Sequence, residues 1–88
     1  MRQEHKMKYI VLGGPHCGYC TQAKNLLERK ELDYEYRDLM DINPKEMTRL
    51  TDIAGLPQFR TVPQIFTVEG ETWGYVGGYT ELNFTLNG

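Results

Sequence analysis

The hydrophobic pattern begins with a short apolar run at residues 9–12, which has polar residues before it. A run of this length that ends at Gly13-Gly14-Pro15 is typical of a buried strand, and we predict a strand over residues 8–12. Residues 21–30 then predict a helix, because apolar side chains recur at helical spacing. The inward stripe of this helix consists of Cys20, Ala23, Leu26 and Leu27.

The rest of the chain also alternates between strand and helix patterns. Residues 34–39 alternate in polarity and predict a strand with one wet face. Asn43-Pro44 is typical of a helix start, Glu46 completes the sequence of a capping box, and Gly55 is a helix stop. Residues 64–68 and 72–76 predict two strands that are joined by a turn at residues 69–71. Residues 79–86 predict a short closing helix.

The predicted order β-α-β-α-β-β-α describes an α/β protein. The first two strands are joined through a helix, so they must be parallel with a right-handed crossover. The last two strands form an antiparallel hairpin. A chain of 88 residues can build one modest core but not two. We therefore expect one domain over residues 8–88, preceded by a flexible lead-in over residues 1–7.

Composition and charge exclude several classes of protein. A net charge of −2 gives no basic surface of the kind that binds nucleic acid. No apolar stretch approaches the roughly 20 residues that span a bilayer. Residues 1–6 are polar and lack the apolar segment of a secretory signal. We expect a monomeric cytoplasmic protein with neither a nucleic-acid nor a membrane partner.

The chain has only two cysteines, Cys17 and Cys20, at the junction between the first strand and the first helix. Unpaired backbone N–H groups and the helix dipole favour a thiolate there. A disulfide closing so short a loop would stabilise the fold by only about 2 kcal/mol, so a purely structural bridge explains the pair poorly. Zinc would need four ligands, and only His5 and His16 could add to the pair, so we predict no metal site. We predict redox chemistry, with Cys17 attacking and Cys20 resolving.

Three segments together resemble the dithiol glutaredoxins. Residues 17–20, Cys-Gly-Tyr-Cys, resemble the active site of that family. Residues 61–66 resemble its Thr-Val-Pro segment, and residues 77–82 resemble its glycine-pair motif. The resemblance covers residues 8–82 and implies a thioredoxin-like fold, a four-stranded mixed sheet flanked by about three helices. It also implies that Cys17 and Cys20 are the catalytic residues.

The resemblance further implies a glutathione site. In the family, a cis peptide precedes the proline that corresponds to Pro63, and the backbone of Val62 would pair with the cysteinyl part of glutathione. Gly78 and Thr80 would hold the γ-glutamyl carboxylate. The remaining residues expected to contact glutathione are Tyr19, Arg60, Thr61, Pro63 and Tyr79, with Arg60 near the glycyl carboxylate and Tyr19 flanking the tripeptide.

The function implied by the resemblance is that of an enzyme, a glutathione-dependent thiol–disulfide oxidoreductase. It would reduce protein disulfides and glutathione mixed disulfides, with glutathione as co-substrate and disulfide-containing clients such as ribonucleotide reductase. One alternative is a similar redoxin that thioredoxin reductase recharges. The chain departs from the family at Gly18, where proline is usual, and at Gly14, where lysine or arginine is common. Because Gly18 frees the loop, a second alternative is a dimer that holds a glutathione-ligated [2Fe–2S] cluster.

Overall fold

The computed structural model describes residues 7–87, which form a four-stranded sheet with helices on both faces. In chain order the elements are β1 (Met7–Gly13), α1 (Gly18–Arg29), β2 (Tyr34–Asp38), a 3-10 turn (Leu39–Asp41), α2 (Pro44–Ala54), β3 (Gln64–Glu69), β4 (Thr72–Gly77) and α3 (Tyr79–Asn87). The predicted order of strands and helices is therefore confirmed, as is the α/β fold class.

The boundaries differ from the predictions where side chains cap an element. Helix α1 begins at Gly18 and not at residue 21, because the side chain of Cys17 caps its first turn. Strand β2 ends at Asp38, whose carboxylate accepts a hydrogen bond from the Met40 N–H at 2.9 Å and starts the 3-10 turn. Met7 belongs to β1, and residues 1–6 of the predicted lead-in lie outside the described residues.

The strands lie in the order β2-β1-β3-β4. Strand β1 is parallel to β2 and antiparallel to β3, and β3 is antiparallel to β4. The sheet is therefore mixed, with β1 and β3 at its centre. The carboxyl end of β1 delivers the chain directly to the start of α1, which carries both cysteines.

Successive side chains of β1 point to opposite faces of the sheet, and each face has its own core. Tyr9 and Val11 belong to the core on the side of α1 and α3, whose other buried members are Ala23, Leu26, Leu27, Ile65 and Leu82. Ile10 and Leu12 belong to the core on the side of α2, together with Leu50 and Phe66. The sheet is thus covered on both faces, and the start of α1 is held rigidly against the sheet. None of the helices within residues 7–87 is long and apolar enough to cross a membrane.

Helix α2 begins and ends where its local sequence predicts. The side chain of Asn43 accepts a hydrogen bond from the Glu46 N–H at 2.8 Å, and Pro44 occupies the first turn. Gly55 ends the helix in the left-handed conformation, with φ of 75°. The carboxylate of Glu46 accepts a hydrogen bond from Arg37 on β2 at 2.7 Å, so this residue ties α2 to the sheet.

Candidate active site

Cys17 and Cys20 form a disulfide at the N-terminus of α1, with their Cα atoms 5.2 Å apart. Cys17 is the N-cap residue, with an extended backbone (φ −106°, ψ 100°). Its sulfur accepts a hydrogen bond from the Cys20 N–H at 3.1 Å, as a serine or aspartate oxygen does at other helix starts. Once the disulfide is reduced, the same N–H and the helix dipole both favour the Cys17 thiolate.

The two sulfur atoms differ in their access to solvent. Cys17 is half-buried at the tip of the helix, whereas Cys20 is only 2% exposed. Cys20 also lies on the inward stripe of α1 with Ala23, as its spacing predicted. An external thiol or disulfide can therefore approach Cys17, whereas Cys20 is accessible mainly through its partner. This asymmetry is what an attacking and a resolving cysteine require.

A groove of about 110 Å³ lies against the first turn of α1. The Val62–Pro63 peptide bond is cis, as the resemblance implied. The lining of the groove brings together the three segments that resemble the glutaredoxin motifs. It consists of Tyr19 from the first segment, Thr61, Val62 and Pro63 from the second, and Gly78, Tyr79 and Thr80 from the third. All seven residues are among those expected to contact glutathione, and their individual roles stay predictions.

A buried glutamine fixes the Thr-Val-Pro wall of this groove. Gln64 is 5% exposed, and its amide nitrogen donates to the Thr61 carbonyl oxygen at 3.0 Å and to the Thr61 hydroxyl at 3.3 Å. Its amide oxygen accepts a hydrogen bond from the Tyr75 hydroxyl at 2.6 Å. Burial raises the pKa of Tyr75, and the negative charge of Glu81 adds to this effect, so the hydroxyl remains a donor at neutral pH.

The opposite wall of the groove is the N-terminus of α3. Gly77 has φ of 124°, and a Cβ atom there would lie 2.9 Å from the Cγ atom of Glu81, so the position requires glycine. The N–H of Gly78 donates to the Glu81 carboxylate at 2.8 Å. The N–H group that was expected to hold a ligand carboxylate is thus bound to a carboxylate of the chain itself. In any helix the following N–H groups of the first turn have no intrahelical partner.

Aromatic rings close one end of the groove. The rings of Tyr19 and Tyr79 stack with their centroids 6.0 Å apart, and Tyr19 is 61% exposed. Arg60 is exposed and is not among the residues that line the groove. His16, immediately before Cys17, is also exposed and adopts a left-handed backbone with φ of 57°. The geometry therefore supports Tyr19 as a groove residue more directly than Arg60.

Cavities larger than this groove lie elsewhere on the molecule. Within residues 7–87, no group of three or more histidine, cysteine, aspartate or glutamate side chains could hold a metal ion. A cavity of about 280 Å³ lies beside α2, lined by Leu39, Met47, Thr48, Thr51, Pro57, Gln58 and Phe59. A cavity of about 470 Å³ lies at the edge of the sheet, lined by Glu35, Tyr36, Arg37, Asp38, Asp41 and Ile42. The smaller groove remains the candidate site because its lining includes Tyr19, which lies between the two cysteines in the sequence.

Sequence reasoning missed the residues that support the site from behind. Gln64, Tyr75 and Glu81 were not singled out, although their hydrogen bonds position both walls of the groove. A polar residue at the start of an otherwise apolar strand was the available signal for Gln64. Tyr36 on β2 was not singled out either, and it lies beside Gly13 of the neighbouring strand and near Cys20.

Comparisons with known proteins agree with this geometry. The family model described as Glutaredoxin matches residues 6–73. A glutaredoxin of Neisseria meningitidis is 39% identical over 69 residues, which cover 78% of this chain and 73% of the relative. Glutaredoxin 1 of Escherichia coli is 35% identical over 83 residues, covering 86% of this chain and 88% of the relative. The solved structure of reduced Escherichia coli glutaredoxin superposes with a TM-score of 0.64 at 32% identity and covers 90% of this chain and 92% of that one.

Proposed function

The chain belongs to the glutaredoxin family and is a thiol–disulfide oxidoreductase, and we propose that glutathione is the thiol on which its turnover depends. The observation that carries this proposal is the groove beside the disulfide. It combines the Thr61-Val62-Pro63 segment, with its cis Val62–Pro63 peptide bond, with the N-terminus of α3.

Glutathione is a peptide with two carboxylates, and the groove would supply partners for its cysteinyl backbone and for one of the carboxylates. An extended peptide can pair with the backbone of Val62 as an added strand. The first turn of α3 can hold a carboxylate, because its N–H groups and the helix dipole favour an anion. Binding at Gly78 would require the Glu81 carboxylate to release that N–H. The N–H groups of Tyr79 and Thr80 belong to the first turn of α3, and within residues 7–87 no side chain accepts a hydrogen bond from them.

In the proposed cycle the Cys17 thiolate attacks the glutathione sulfur of a mixed disulfide. The sulfur–sulfur bond breaks, the client leaves as a thiolate, and Cys17 carries the glutathione. A second glutathione then attacks this intermediate, releases oxidised glutathione and restores Cys17. With a protein disulfide, Cys20 attacks the mixed disulfide formed at Cys17, and the Cys17–Cys20 bridge results.

The proposal extends to the clients and the location of the protein. Clients would be disulfide-bearing or glutathionylated proteins, with ribonucleotide reductase as one candidate, and they would react with the half-buried Cys17. The cytoplasm would be the compartment, since a glutathione pool there keeps thiols reduced.

Glutathione-coupled turnover of a glutathionylated peptide tests the proposal. We expect the wild-type protein to turn over, Cys17→Ser to be inactive, and Cys20→Ser to keep activity on this substrate. Reduction of a protein disulfide should need both cysteines. If wild type reduces disulfides with dithiothreitol but not with glutathione, the glutathione assignment is wrong, and coupling to thioredoxin reductase becomes the next assay.

A matched pair of variants on α3 tests the groove itself. Thr80→Val removes a hydroxyl from the groove, while Thr85→Val makes the same change at an exposed position farther along the helix. One hydrogen bond contributes about 0.5–1.5 kcal/mol, so KM for glutathione should rise roughly two- to tenfold in Thr80→Val. It should stay unchanged in Thr85→Val. Equal effects in the two variants would show that the groove is not the glutathione site.

A further inference from the structure

The buried side of Cys20 faces a tyrosine that the proposed cycle does not use. Gly13 is the last residue of β1 and has no side chain. The Tyr36 side chain and the Cys20 sulfur occupy the space that a side chain at Gly13 would fill. A Cβ atom at Gly13 would lie 2.6 Å from the Tyr36 hydroxyl oxygen and 2.8 Å from the Cys20 sulfur. The phenol oxygen and the sulfur are therefore neighbours across the space at Gly13, and among the described residues no hydrogen bond joins them while the disulfide is closed.

A lysine lies over the ring of the same tyrosine. The Lys24 ammonium nitrogen is 4.1 Å from the centroid of the Tyr36 ring, a typical cation–π distance. Lys24 follows Cys20 by four residues, so both lie on one face of α1. The ring is 36% exposed at the edge of the sheet. A hydroxyl, with a positive charge over its ring, thus lies near the buried sulfur of Cys20.

Reduction of the disulfide creates a charge at this position. When a thiolate attacks the exposed sulfur of Cys17, the bond between the two cysteines breaks and the electron pair goes to Cys20. The attacking thiol is oxidised to a mixed disulfide with Cys17, and the sulfur of Cys20 is reduced. A second thiolate then attacks the mixed disulfide and releases Cys17 as a thiolate. Cys20 leaves as a thiolate at a position only 2% exposed, where water cannot solvate it. The attacking thiol releases one proton to solvent when it becomes a thiolate. The Cys20 thiolate later takes up one proton from solvent, so the step consumes no net proton.

We propose that the Tyr36 hydroxyl donates a hydrogen bond to the departing Cys20 thiolate and that Lys24 positions and polarises this phenol. A hydrogen bond to the charged form favours that form, and a better-stabilised thiolate is a better leaving group. Tyr36 keeps its proton throughout. The inference rests on the thiol–disulfide activity of the chain and is independent of whether glutathione is the thiol, because any attacking thiol expels Cys20.

The test measures the rate at which dithiothreitol reduces the oxidised protein, followed by acid quench and chromatography of the two redox forms. Tyr36→Phe keeps the ring that packs on Gly13 and removes only the hydroxyl. We expect its reduction rate to fall about tenfold or more, since hydrogen bonds to charged groups are the stronger ones. Tyr34→Phe is the matched control, because this tyrosine lies on the same strand and its hydroxyl binds Glu28. Its rate should equal that of wild type.

Two further measurements separate this role from a structural one. In Cys20→Ser protein carrying a mixed disulfide at Cys17, adding Tyr36→Phe should leave the reduction rate unchanged, because Cys20 is no longer the leaving group. Lys24→Gln should slow reduction of the wild-type disulfide about threefold or more, and this loss should disappear in a Tyr36→Phe background.

Specific outcomes would overturn the inference. A wild-type rate in Tyr36→Phe shows that the hydroxyl does not assist the leaving thiolate. An equal slowing in the Cys20→Ser background shows that Tyr36 acts on Cys17 or on the fold. Because dithiothreitol is the reductant, failure of the glutathione assay leaves these results interpretable, and the two proposals can fail separately.

Discussion

The strongest structural prediction concerns Gln64, whose side chain joins β4 to the wall of the groove. Its amide nitrogen donates to both oxygens of Thr61, and its amide oxygen accepts from Tyr75. Gln64→Leu replaces the amide by an apolar group of similar size and removes these hydrogen bonds together. Tyr75→Phe removes only the bond at the β4 end. Comparing the two variants separates the two ends of the network.

The magnitude follows from the number of bonds and their access to water. Each bond contributes about 0.5–1.5 kcal/mol net. Thr61 is exposed and Tyr75 is 36% exposed, so water can replace part of what both groups lose. We therefore expect Gln64→Leu to lower the free energy of unfolding by about 1–3 kcal/mol and Tyr75→Phe by about 0.5–1.5 kcal/mol. At about 4–8 °C per kcal/mol for a domain of this size, both shifts in Tm are measurable.

The assay is urea unfolding of the reduced protein for wild type, both single variants and the double variant. The double variant should be about as stable as Gln64→Leu, because the Tyr75 hydroxyl has already lost its partner there. KM for glutathione should rise several-fold in Gln64→Leu, while reduction of the protein by dithiothreitol should proceed at the wild-type rate.

Three results would refute this reasoning. A Gln64→Leu protein as stable as wild type would show that the network contributes nothing to stability. Strictly additive losses in the double variant would show that Gln64 and Tyr75 are not coupled. A destabilised Gln64→Leu with an unchanged KM would show that the network stabilises the fold but does not position the groove.

Three other perturbations have definite expected outcomes. Gly18→Pro should raise the free energy of unfolding by about 0.4–1 kcal/mol in urea unfolding. Gly18 is the first helical residue, and the extended backbone of Cys17 tolerates a following proline. A loss of stability would contradict this. Asn43→Ala should cost about 1 kcal/mol in the same assay, since it leaves the Glu46 N–H without its cap, and an unchanged midpoint would show that the cap contributes nothing. Burial raises the pKa of Tyr9, so the folded state holds the phenol proton more tightly than the unfolded chain does. The contribution of Tyr9 to stability should be intact below about pH 10 and should fall as the pH rises further. In Tyr9→Phe this decline should be smaller.

Local sequence determined the helices and strands, because their signals lie within a few residues. Asn43, Pro44 and Gly55 fixed both ends of α2, since a cap satisfies backbone groups only in its own turn. The apolar run in β1 predicted its buried position, and the spacing of Cys20 on its helix predicted which thiol faces inward. The start of α1 was misplaced because a cysteine is an unusual N-cap, although the same cysteine was identified as the nucleophile.

The site itself was accessible from the sequence only through family resemblance. Its walls come from segments around residues 19, 62 and 78, which no periodicity connects. The three motifs predicted that these segments would meet, and the structure places them around one groove. Arg60 was grouped with them by the same resemblance, yet its side chain is exposed and does not line the groove.

Only the tertiary structure determined the contacts behind the site. Gln64 meets Tyr75 across a strand pair, and Tyr36 meets Cys20 across the space that Gly13 leaves open. Such contacts depend on strand register and on how a helix lies over the sheet, and a single residue shift would turn these side chains to the opposite face. The sequence by itself therefore determined the reacting thiols and the elements that carry them. The fold determined which neighbours position those thiols, because packing joins residues that are distant in the chain.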